Sequence, residues 1–257
     1  MGQPDFRRNL ILQILQETPS ISVADLAQRL HVTTTTIRRD VTSLANEGII
    51  SHEWGKISRM PNQHFPNISN RSTLCQSEKA YIAKAAVRLL APNDIIILDS
   101  GTTIQCFAHS IPSDMPLSIV TNSLSLAHIF TEKAARVQYT SGFMEKDHLS
   151  LVGSDCEEYL KNVKVAKAFL GTSSFNMQTM RFSTFSPLQS SVKRAMVAAA
   201  EKVYILLDRS KISSLGINTF ASISDISGIV TCGSTFSPED EQRIRAENVE
   251  IIYAETE

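Results

Sequence analysis

Apolar residues recur at helical spacing in two consecutive segments near the start of the chain, and a tight turn joins the segments. The first segment buries one stripe, formed by Val23, Leu26, Ala27 and Leu30. The second follows Thr33, a residue type suited to the N-cap, and buries a stripe formed by Ile37, Val41 and Leu44. The opposite face of the second helix carries Thr35, Arg38, Arg39, Thr42 and Asn46. The pattern predicts a helix-turn-helix with a polar, outward-facing second helix.

Such an outward face is typical of a helix that enters the major groove of DNA. Arginine can bind phosphate or guanine, and threonine can contact a base edge or a thymine methyl group. A small three-helix bundle with a polar surface is the alternative interpretation. Two flanking features favour DNA binding: an apolar pattern that predicts a preceding helix, and the segment GIISHEWGKI, which predicts a two-stranded wing around Trp54 and Gly55. The helix pattern is formed by Leu10, Ile11, Ile14 and Leu15. The expected DNA-binding residues are Thr34, Thr35, Thr36, Arg38, Arg39, Thr42 and Lys56.

The pattern changes after residues 59–76, a proline- and asparagine-containing stretch without helical or strand period that we interpret as a linker. Apolar runs typical of strands follow at Ile95–Leu98, Leu117–Val120, Val137–Tyr139, Val165–Leu170, Val203–Leu207, Ile229–Val230 and Val249–Tyr253. Helical segments alternate with them, at about residues 77–91, 102–111, 123–134, 153–162, 187–202 and 238–247. The alternation predicts a mostly parallel sheet that helices cover on both faces, with any ligand bound beyond the carboxyl ends of the strands.

Four of these predicted strands end in small hydroxyl, glycine or cationic residues. The ends are Asp99–Thr103, Thr121–Ser123, Gly171–Ser173 and Asp208–Lys211. In the first, Gly101 would let a ligand approach the backbone, and the N-terminal N–H groups of the following helix would suit an anion. Each end alone could be an ordinary helix cap. Together they predict a site for a small, anionic, hydroxyl-rich molecule, which is a sugar phosphate.

Residues 21–58 resemble the N-terminal domain of the DeoR family of bacterial transcriptional regulators. The positions that carry this resemblance are Leu26-Ala27, Val32-Thr33, Thr36-Ile37-Arg38-Arg39-Asp40-Val41 and Gly48. The His-Gly-Gly segment that is usual in the family's wing is replaced here by His52-Glu53-Trp54-Gly55.

The rest of the chain resembles the effector domain of the same family. The matching motifs, in order, are Glu78-Lys79, Asp99-Ser100-Gly101-Thr102-Thr103, Thr121-Asn122-Ser123, Phe169-Leu170-Gly171, Val192-Lys193-Arg194-Ala195-Met196 and Asp208-Arg209-Ser210-Lys211. The resemblance implies a fold similar to ribose-5-phosphate isomerases and glucosamine-6-phosphate deaminases, and a domain that senses phosphorylated sugars. The chain departs from the family pattern at Ser141-Gly142, Met180-Arg181 and Thr231-Cys232, which are expected near the pocket.

The sequence therefore predicts an α/β protein in which an N-terminal winged helix-turn-helix is joined to a mostly parallel effector domain. We expect the DNA-binding domain at residues 1–58, the linker at 59–76 and the effector domain at 77–257. The expected effector-binding residues are Asp99, Ser100, Gly101, Thr102, Thr103, Thr121, Asn122, Ser123, Gly142, Gly171, Lys193, Asp208 and Lys211. The sequence leaves two points open. The first is whether Lys193 enters the cleft or is a solvated surface lysine. The second is whether Asp99 and Asp208 bind sugar hydroxyls or cap helices.

Charge and composition limit the possible functions. The formal net charge is −1, and residues 1–60 contain seven Lys/Arg and six Asp/Glu, so the chain is not a general polycation. DNA affinity would then require local basic residues and two winged domains acting together, which predicts a homo-oligomer, dimer or tetramer. The scattered cysteines and the absence of an apolar run of membrane-spanning length or a signal peptide indicate a cytoplasmic protein with reduced thiols. The histidines lack metal-ligand spacing, so no metal or cofactor is expected.

The sequence favours a DNA-binding transcriptional regulator of a sugar-metabolism operon, a repressor that a phosphorylated sugar releases. Two alternatives remain. A sugar-phosphate isomerase- or deaminase-like enzyme fits the fold resemblance, but the predicted loops offer no evident acid/base set, so we expect no enzymatic activity. An effector-independent regulator with a degenerate pocket is the other.

Overall fold

In the computed structural model, the described residues are 7, 8, 10, 11, 14, 15, 18, 20–46, 50–53, 55–59, 75–212, 217–233 and 235–255. The chain divides into two compact units, Met1–Asn70 and Arg71–Glu257. Most of the predicted linker, residues 60–74, lies outside the described residues. Its two ends differ from the prediction, since Arg59 ends a strand and Gln76 begins a helix.

The N-terminal unit contains the predicted helix-turn-helix. Strand β1 (Ser20–Ser22) leads into helix α1 (Val23–Arg29), and helix α2 (Thr34–Asn46) follows after a turn in which His31 has a φ of 52°. Thr33 is the predicted N-cap: its Oγ1 accepts the backbone N–H of Thr36 at 3.3 Å. The predicted stripes are buried except for Leu30, which is half-buried because it is the C-cap of α1.

The predicted preceding helix and wing complete this unit. The described residues between 7 and 15 are helical, and Ile11 and Leu15 pack into the same core as the two stripes. Strands β2 (Ile50–Glu53) and β3 (Lys56–Arg59) form the antiparallel wing. The sequence did not predict that β1 also pairs with β3, because three residues are too few to show a strand period. Gly48 and Trp54 lie outside the described residues.

The second unit alternates helices and strands as expected. In chain order its elements are α3 (Gln76–Val87), β4 (Ile95–Leu98), α4 (Thr102–Ser110), β5 (Ser118–Thr121), β6 (Arg136–Tyr139), β7 (Phe143–Glu145), β8 (Ser150–Val152), α5 (Ser154–Lys161), β9 (Val165–Gly171), β10 (Ser174–Asn176), β11 (Arg181–Thr184), α6 (Pro187–Ala199), β12 (Ala200–Leu206), β13 (Asn218–Ser222), β14 (Gly228–Cys232), α7 (Pro238–Ala246) and β15 (Glu250–Ala254). All seven apolar runs form one parallel sheet in the order β15-β14-β12-β9-β4-β5-β6. The α/β prediction is confirmed.

Helices cover both faces of this sheet, as the alternation along β4 shows. Ile96 and Leu98 pack into a buried cluster with α3 and α4, whereas Ile97 between them packs into a second cluster with α5, α6 and α7. Successive strand residues point to opposite faces, so both faces of a central strand must be apolar. Among the described helices, none has the length and apolar character that a membrane span requires.

One predicted helix, at 123–134, was wrong. The segment contains a 3₁₀ turn at Leu124–Leu126 and then further turns. Its start is held by the hairpin β7–β8, because Leu124 N–H bonds to Leu149 O at 2.9 Å and Ser123 bridges Ser150. These tertiary bonds compete with an α-helical start. The helix predicted at 187–202 also ends early, because residues 200–202 already pair with β9.

Two small antiparallel sheets were not predicted. The hairpin β7–β8 is one, and β10-β11-β13 is the other. Strands of three to five residues leave little period in a sequence, and β11 pairs with β13 across a long stretch of chain, with a register shift at Phe182/Ser183.

Candidate functional site

The strand order of the large sheet reverses between β4 and β9, because β5 and β6 continue on one side and β12, β14 and β15 on the other. Ligands of open α/β sheets bind beyond the carboxyl ends of the strands at such a point. Asp99 follows β4 and Gly171 ends β9, and the Gly171 N–H donates to Asp99 Oδ2 at 2.9 Å. We call the region formed by Asp99–Thr103, Gly171 and Lys193 the β4–β9 crevice.

Lys193 reaches this crevice from α6. Its ammonium pairs with Asp99 Oδ2 and donates to Gly171 O at 3.0 Å. Lys193 is 5% exposed and Asp99 is 0% exposed, so the interpretation as a solvated surface lysine is wrong. The second carboxylate oxygen, Asp99 Oδ1, is buried and has no hydrogen-bond partner among the described residues. Asp99 also caps no helix, since Gly101 is the N-cap of α4.

The rest of the first loop leaves open space beside its backbone at Gly101. Gly101 has a φ of +132°, which L side chains rarely adopt, although a Cβ there would have open space. Thr102 and Thr103 are buried in the first turn of α4, which contains no acidic residue. The N-terminal N–H groups of this turn and its hydroxyls are of the kinds that bind an anion.

Ser100 is linked to a residue that the sequence did not single out. Its hydroxyl donates to Gln189 Oε1 at 3.4 Å, and Gln189 Nε2 donates to Glu145 Oε2 and to Ser150 Oγ, at 2.5 and 2.7 Å. Gln189 lies one helical turn before Lys193 on α6. That i,i+4 spacing was the available sequence signal, because the two side chains share one helix face.

Most polar groups at the end of β5 form hydrogen bonds within the protein. Thr121 Oγ1 donates to Leu98 O at 2.6 Å and accepts the N–H of Ser123 at 3.0 Å. Asn122 Nδ2 donates to Leu151 O at 3.0 Å, whereas its buried Oδ1 has no hydrogen-bond partner among the described residues. Ser123 Oγ lies 3.0 Å from Ser125 Oγ. Of these three residues, Asn122 therefore retains an unsatisfied acceptor.

Gly142 has a structural explanation. Its φ is +121°, and a Cβ would lie 2.5 Å from Val152 O, so the backbone of β8 leaves no room for a side chain. The two other departures from the family pattern lie elsewhere: Met180 is in the turn between β10 and β11 with a φ of 54°, and Cys232 Sγ donates to Glu78 O at 3.5 Å.

A second group of charges surrounds the end of β12. Asp208 is fully buried and caps the following 3₁₀ turn, because its Oδ1 accepts the Ser210 N–H at 3.0 Å. Its Oδ2 has no hydrogen-bond partner among the described residues. Burial alone would raise the pKa of Asp208, but Lys211, Ser210 and Lys79 outweigh that effect and lower it. Burial lowers the pKa of the Lys79 ammonium, which Asp208 opposes.

Three potential metal ligands meet in this group. Atoms of Cys75, Glu78 and Asp208 lie within 4.8 Å of one another, which their spacing in the sequence did not indicate. Cations also face them, since Glu78 pairs with Arg209 at 2.6 Å. Burial, followed by the charges of Asp208 and Glu78, raises the pKa of the Cys75 thiol to about 11, so this thiol is protonated at neutral pH. The absence of a metal stays a prediction.

In the N-terminal unit, α2 exposes most of the predicted DNA-binding residues. The exposed ones are Thr34, Thr35, Arg38, Arg39 and Thr42, together with Lys56 on β3. Thr36 is half-buried, and its hydroxyl lies 2.9 Å from Thr33 Oγ1, so it belongs partly to the cap. Asp40, the only carboxylate of α2, is buried and pairs with Arg7 at 2.5 Å. The outward face therefore combines exposed arginines and threonines without a carboxylate.

Comparisons with known proteins agree with both units. Residues 7–60 match the model of the DeoR-like helix-turn-helix domain, and residues 75–232 match that of the DeoR C terminal sensor domain. A putative aga operon transcriptional repressor of Escherichia coli O157:H7 is 28% identical over 251 residues, 96% of this chain and 92% of that protein. An L-fucose operon activator of Haemophilus influenzae is 29% identical over 227 residues, 88% of this chain and 90% of that protein.

A solved structure, ribose 5 phosphate isomerase A from Neisseria gonorrhoeae, is similar to 53% of this chain and 53% of its own, with 19% identity and a TM-score of 0.39. A winged helix-turn-helix and an α/β sensor unit define a DNA-binding transcriptional regulator. The chain belongs to the DeoR family of these regulators.

Proposed function

We propose that this regulator represses a sugar-metabolism operon and that a phosphorylated sugar bound in the β4–β9 crevice relieves repression. The observation that carries the effector class is the pair of unsatisfied buried acceptors, Asp99 Oδ1 and Asn122 Oδ1, at neighbouring strand ends. Buried acceptors without donors are costly in a folded protein. Sugar hydroxyls would supply the donors.

The phosphate would be held by groups of the same crevice. The N–H groups at the start of α4 and the hydroxyls of Thr102 and Thr103 supply directional bonds, and Lys193 retains an N–H beyond those used by Asp99 and Gly171. Lys211 would add charge from the end of β12. An unphosphorylated sugar loses these charge-assisted bonds and should bind much more weakly.

The name of one relative, the L-fucose operon activator, supports a sugar operon as the target, and the two relatives are named as a repressor and an activator. Transcription from the regulated promoter, measured with and without effector, therefore tests separately whether the effector raises or lowers transcription. We assign operator binding to residues 1–58 and effector sensing to residues 77–257, joined by 59–76. Because one small domain with a charge of about +1 would bind DNA weakly, we propose that a dimer or tetramer occupies the operator.

A thermal-shift screen of sugar phosphates, each beside its unphosphorylated sugar, tests the effector class, since ligand binding raises stability by mass action. Calorimetry on two variants then tests whether the effector binds in the crevice. The variants are Asn122→Ala and, as a control, Ser237→Ala, which removes the N-cap of the distant α7. We expect the first variant to lose roughly tenfold in affinity and the second to bind normally. If no sugar phosphate binds the wild type, the effector-independent interpretation holds instead.

A further inference from the structure

A buried hydrogen-bond network joins the β4–β9 crevice to the hairpin β7–β8. Gln189 is its centre and is 1% exposed. The Gln189 amide donates to Glu145 on β7 and to Ser150 on β8, so one side chain holds both strands of the hairpin. Ser186, which caps α6, donates to the other oxygen of Glu145 at 2.7 Å.

These contacts determine the orientation of the Gln189 amide. Both N–H bonds are used by the hairpin, so Oε1 faces Ser100 of the crevice. A flipped amide would place its oxygen against the Glu145 carboxylate. Burial alone would raise the pKa of Glu145, but His148, Ser186 and Gln189 outweigh it and lower the pKa to about 2. Glu145 is thus ionised at neutral pH and keeps the amide oxygen directed at Ser100.

The hairpin also contacts a second strand end of the sensor unit. Asn122 exchanges bonds with Leu151 of β8: the Leu151 N–H donates to Asn122 O at 2.7 Å, and Asn122 Nδ2 donates to Leu151 O at 3.0 Å. The loop that follows β5 therefore contacts β8 directly, and the loop that follows β4 is linked to the same three-residue strand through Gln189.

We propose that Gln189 is a positioning residue that transmits the state of the crevice loop to the hairpin, which makes β7–β8 the responsive element of the sensor unit. When the Ser100 hydroxyl turns to an anion in the crevice, Gln189 Oε1 loses its donor, and the bonds of Gln189 to Glu145 and Ser150 readjust. The anion part of this inference rests on the proposed function; the coupling between Ser100 and the hairpin does not.

Amide hydrogen exchange on the full-length protein without added ligand tests the coupling. Gln189→Ala should speed exchange in residues 143–152 on the order of tenfold, and Ser100→Ala should change exchange in the same hairpin severalfold. In Ser100→Ala/Gln189→Ala the two effects should not add, because Ser100 acts through Gln189. A purely structural Gln189 would leave the hairpin unaffected by Ser100→Ala, and that result would overturn the proposal.

Exchanging the carboxylate of residue 145 and the amide of residue 189 distinguishes a loss of this contact from general unfolding. Gln189→Glu alone places two carboxylates together and should loosen the hairpin, whereas Glu145→Gln/Gln189→Glu restores a carboxylate–amide pair and should recover its protection. Ser237→Ala is the matched control and should leave residues 143–152 unchanged. The double variant could fail to recover protection of the hairpin while the rest of the sensor unit stays protected as in the wild type. That result would also contradict the role of Gln189.

Hydrogen exchange with added inorganic phosphate distinguishes failure of this coupling from failure of the proposed anion site. Protection of 99–103 by phosphate, with a change in 143–152 that Gln189→Ala abolishes, supports both. Protection of 99–103 with no change in the hairpin overturns the inference and leaves the anion site intact. If phosphate affects neither segment while Ser100→Ala still alters the hairpin, the coupling stands and the anion site fails.

Discussion

Among single residues of the sensor unit, Lys193 and Asp99 form a buried ion pair. Lys193→Met should lower the free energy of unfolding by about 3–5 kcal/mol, because it leaves a buried carboxylate without its cation. Lys193→Met/Asp99→Asn removes both charges and should recover a large part of that loss. Urea denaturation measures both, with Lys202→Met at an exposed lysine as the control. Equal losses in the single and double variants would show that the pairing is not what Lys193 provides.

Arg39 is the residue-scale test of the DNA-binding face. Its side chain is exposed on α2, where the helix's only carboxylate is turned inward to Arg7. Arg39→Ala should weaken operator binding by roughly 1–3 kcal/mol. A gel shift measures this, and Arg136→Ala, an exposed arginine of the sensor unit, should bind as the wild type does. An unchanged shift for Arg39→Ala would remove that residue from the interface.

At the scale of elements, the hairpin β7–β8 has a pH dependence that follows from Glu145. The folded-state pKa is about 2, below the ordinary value of 4.5, so the stabilisation is present above pH 4.5 and is lost as the pH falls from there towards 2. Solvent screening of the partly exposed carboxylate reduces its contribution to roughly 2 kcal/mol. The difference in unfolding free energy between wild type and Glu145→Gln should therefore shrink between pH 5 and pH 3. A difference that does not change with pH would contradict the lowered pKa.

At the scale of the whole molecule, the charge distribution predicts an oligomer. Residues 1–60 contain seven basic and six acidic residues, so a single winged unit neutralises few phosphates. Two units on a two-fold operator would double the contacts. Sedimentation at micromolar concentration should show a dimer or tetramer, and operator affinity should fall steeply with salt. A monomer that retains full operator affinity would contradict this expectation.

Local sequence patterns were sufficient to predict the elements whose apolar residues repeat within one segment. The stripe Ile37, Val41 and Leu44 fixes how α2 lies, and with it which residues face outward. Runs such as Ile95–Leu98 required strands buried on both faces, and their alternation with helices required a parallel sheet. Because parallel strands end at one edge, the sequence also predicted Asp99 and Gly171 at the same edge of the sheet, whereas the pairing of β4 with β9 that makes them neighbours comes from the structure.

Contacts between residues that are distant along the chain are seen only in the folded molecule. Lys193 is a paired, buried cation because Asp99, 94 residues earlier, lies beneath it. The Gln189 amide is oriented by Glu145 on a hairpin too short to leave a pattern, and that hairpin also prevents the helix predicted at 123–134. The periodicity of apolar residues within a segment indicates which face of that segment is buried. It does not indicate which polar group will contact that segment, because this contact forms only when distant segments pack together.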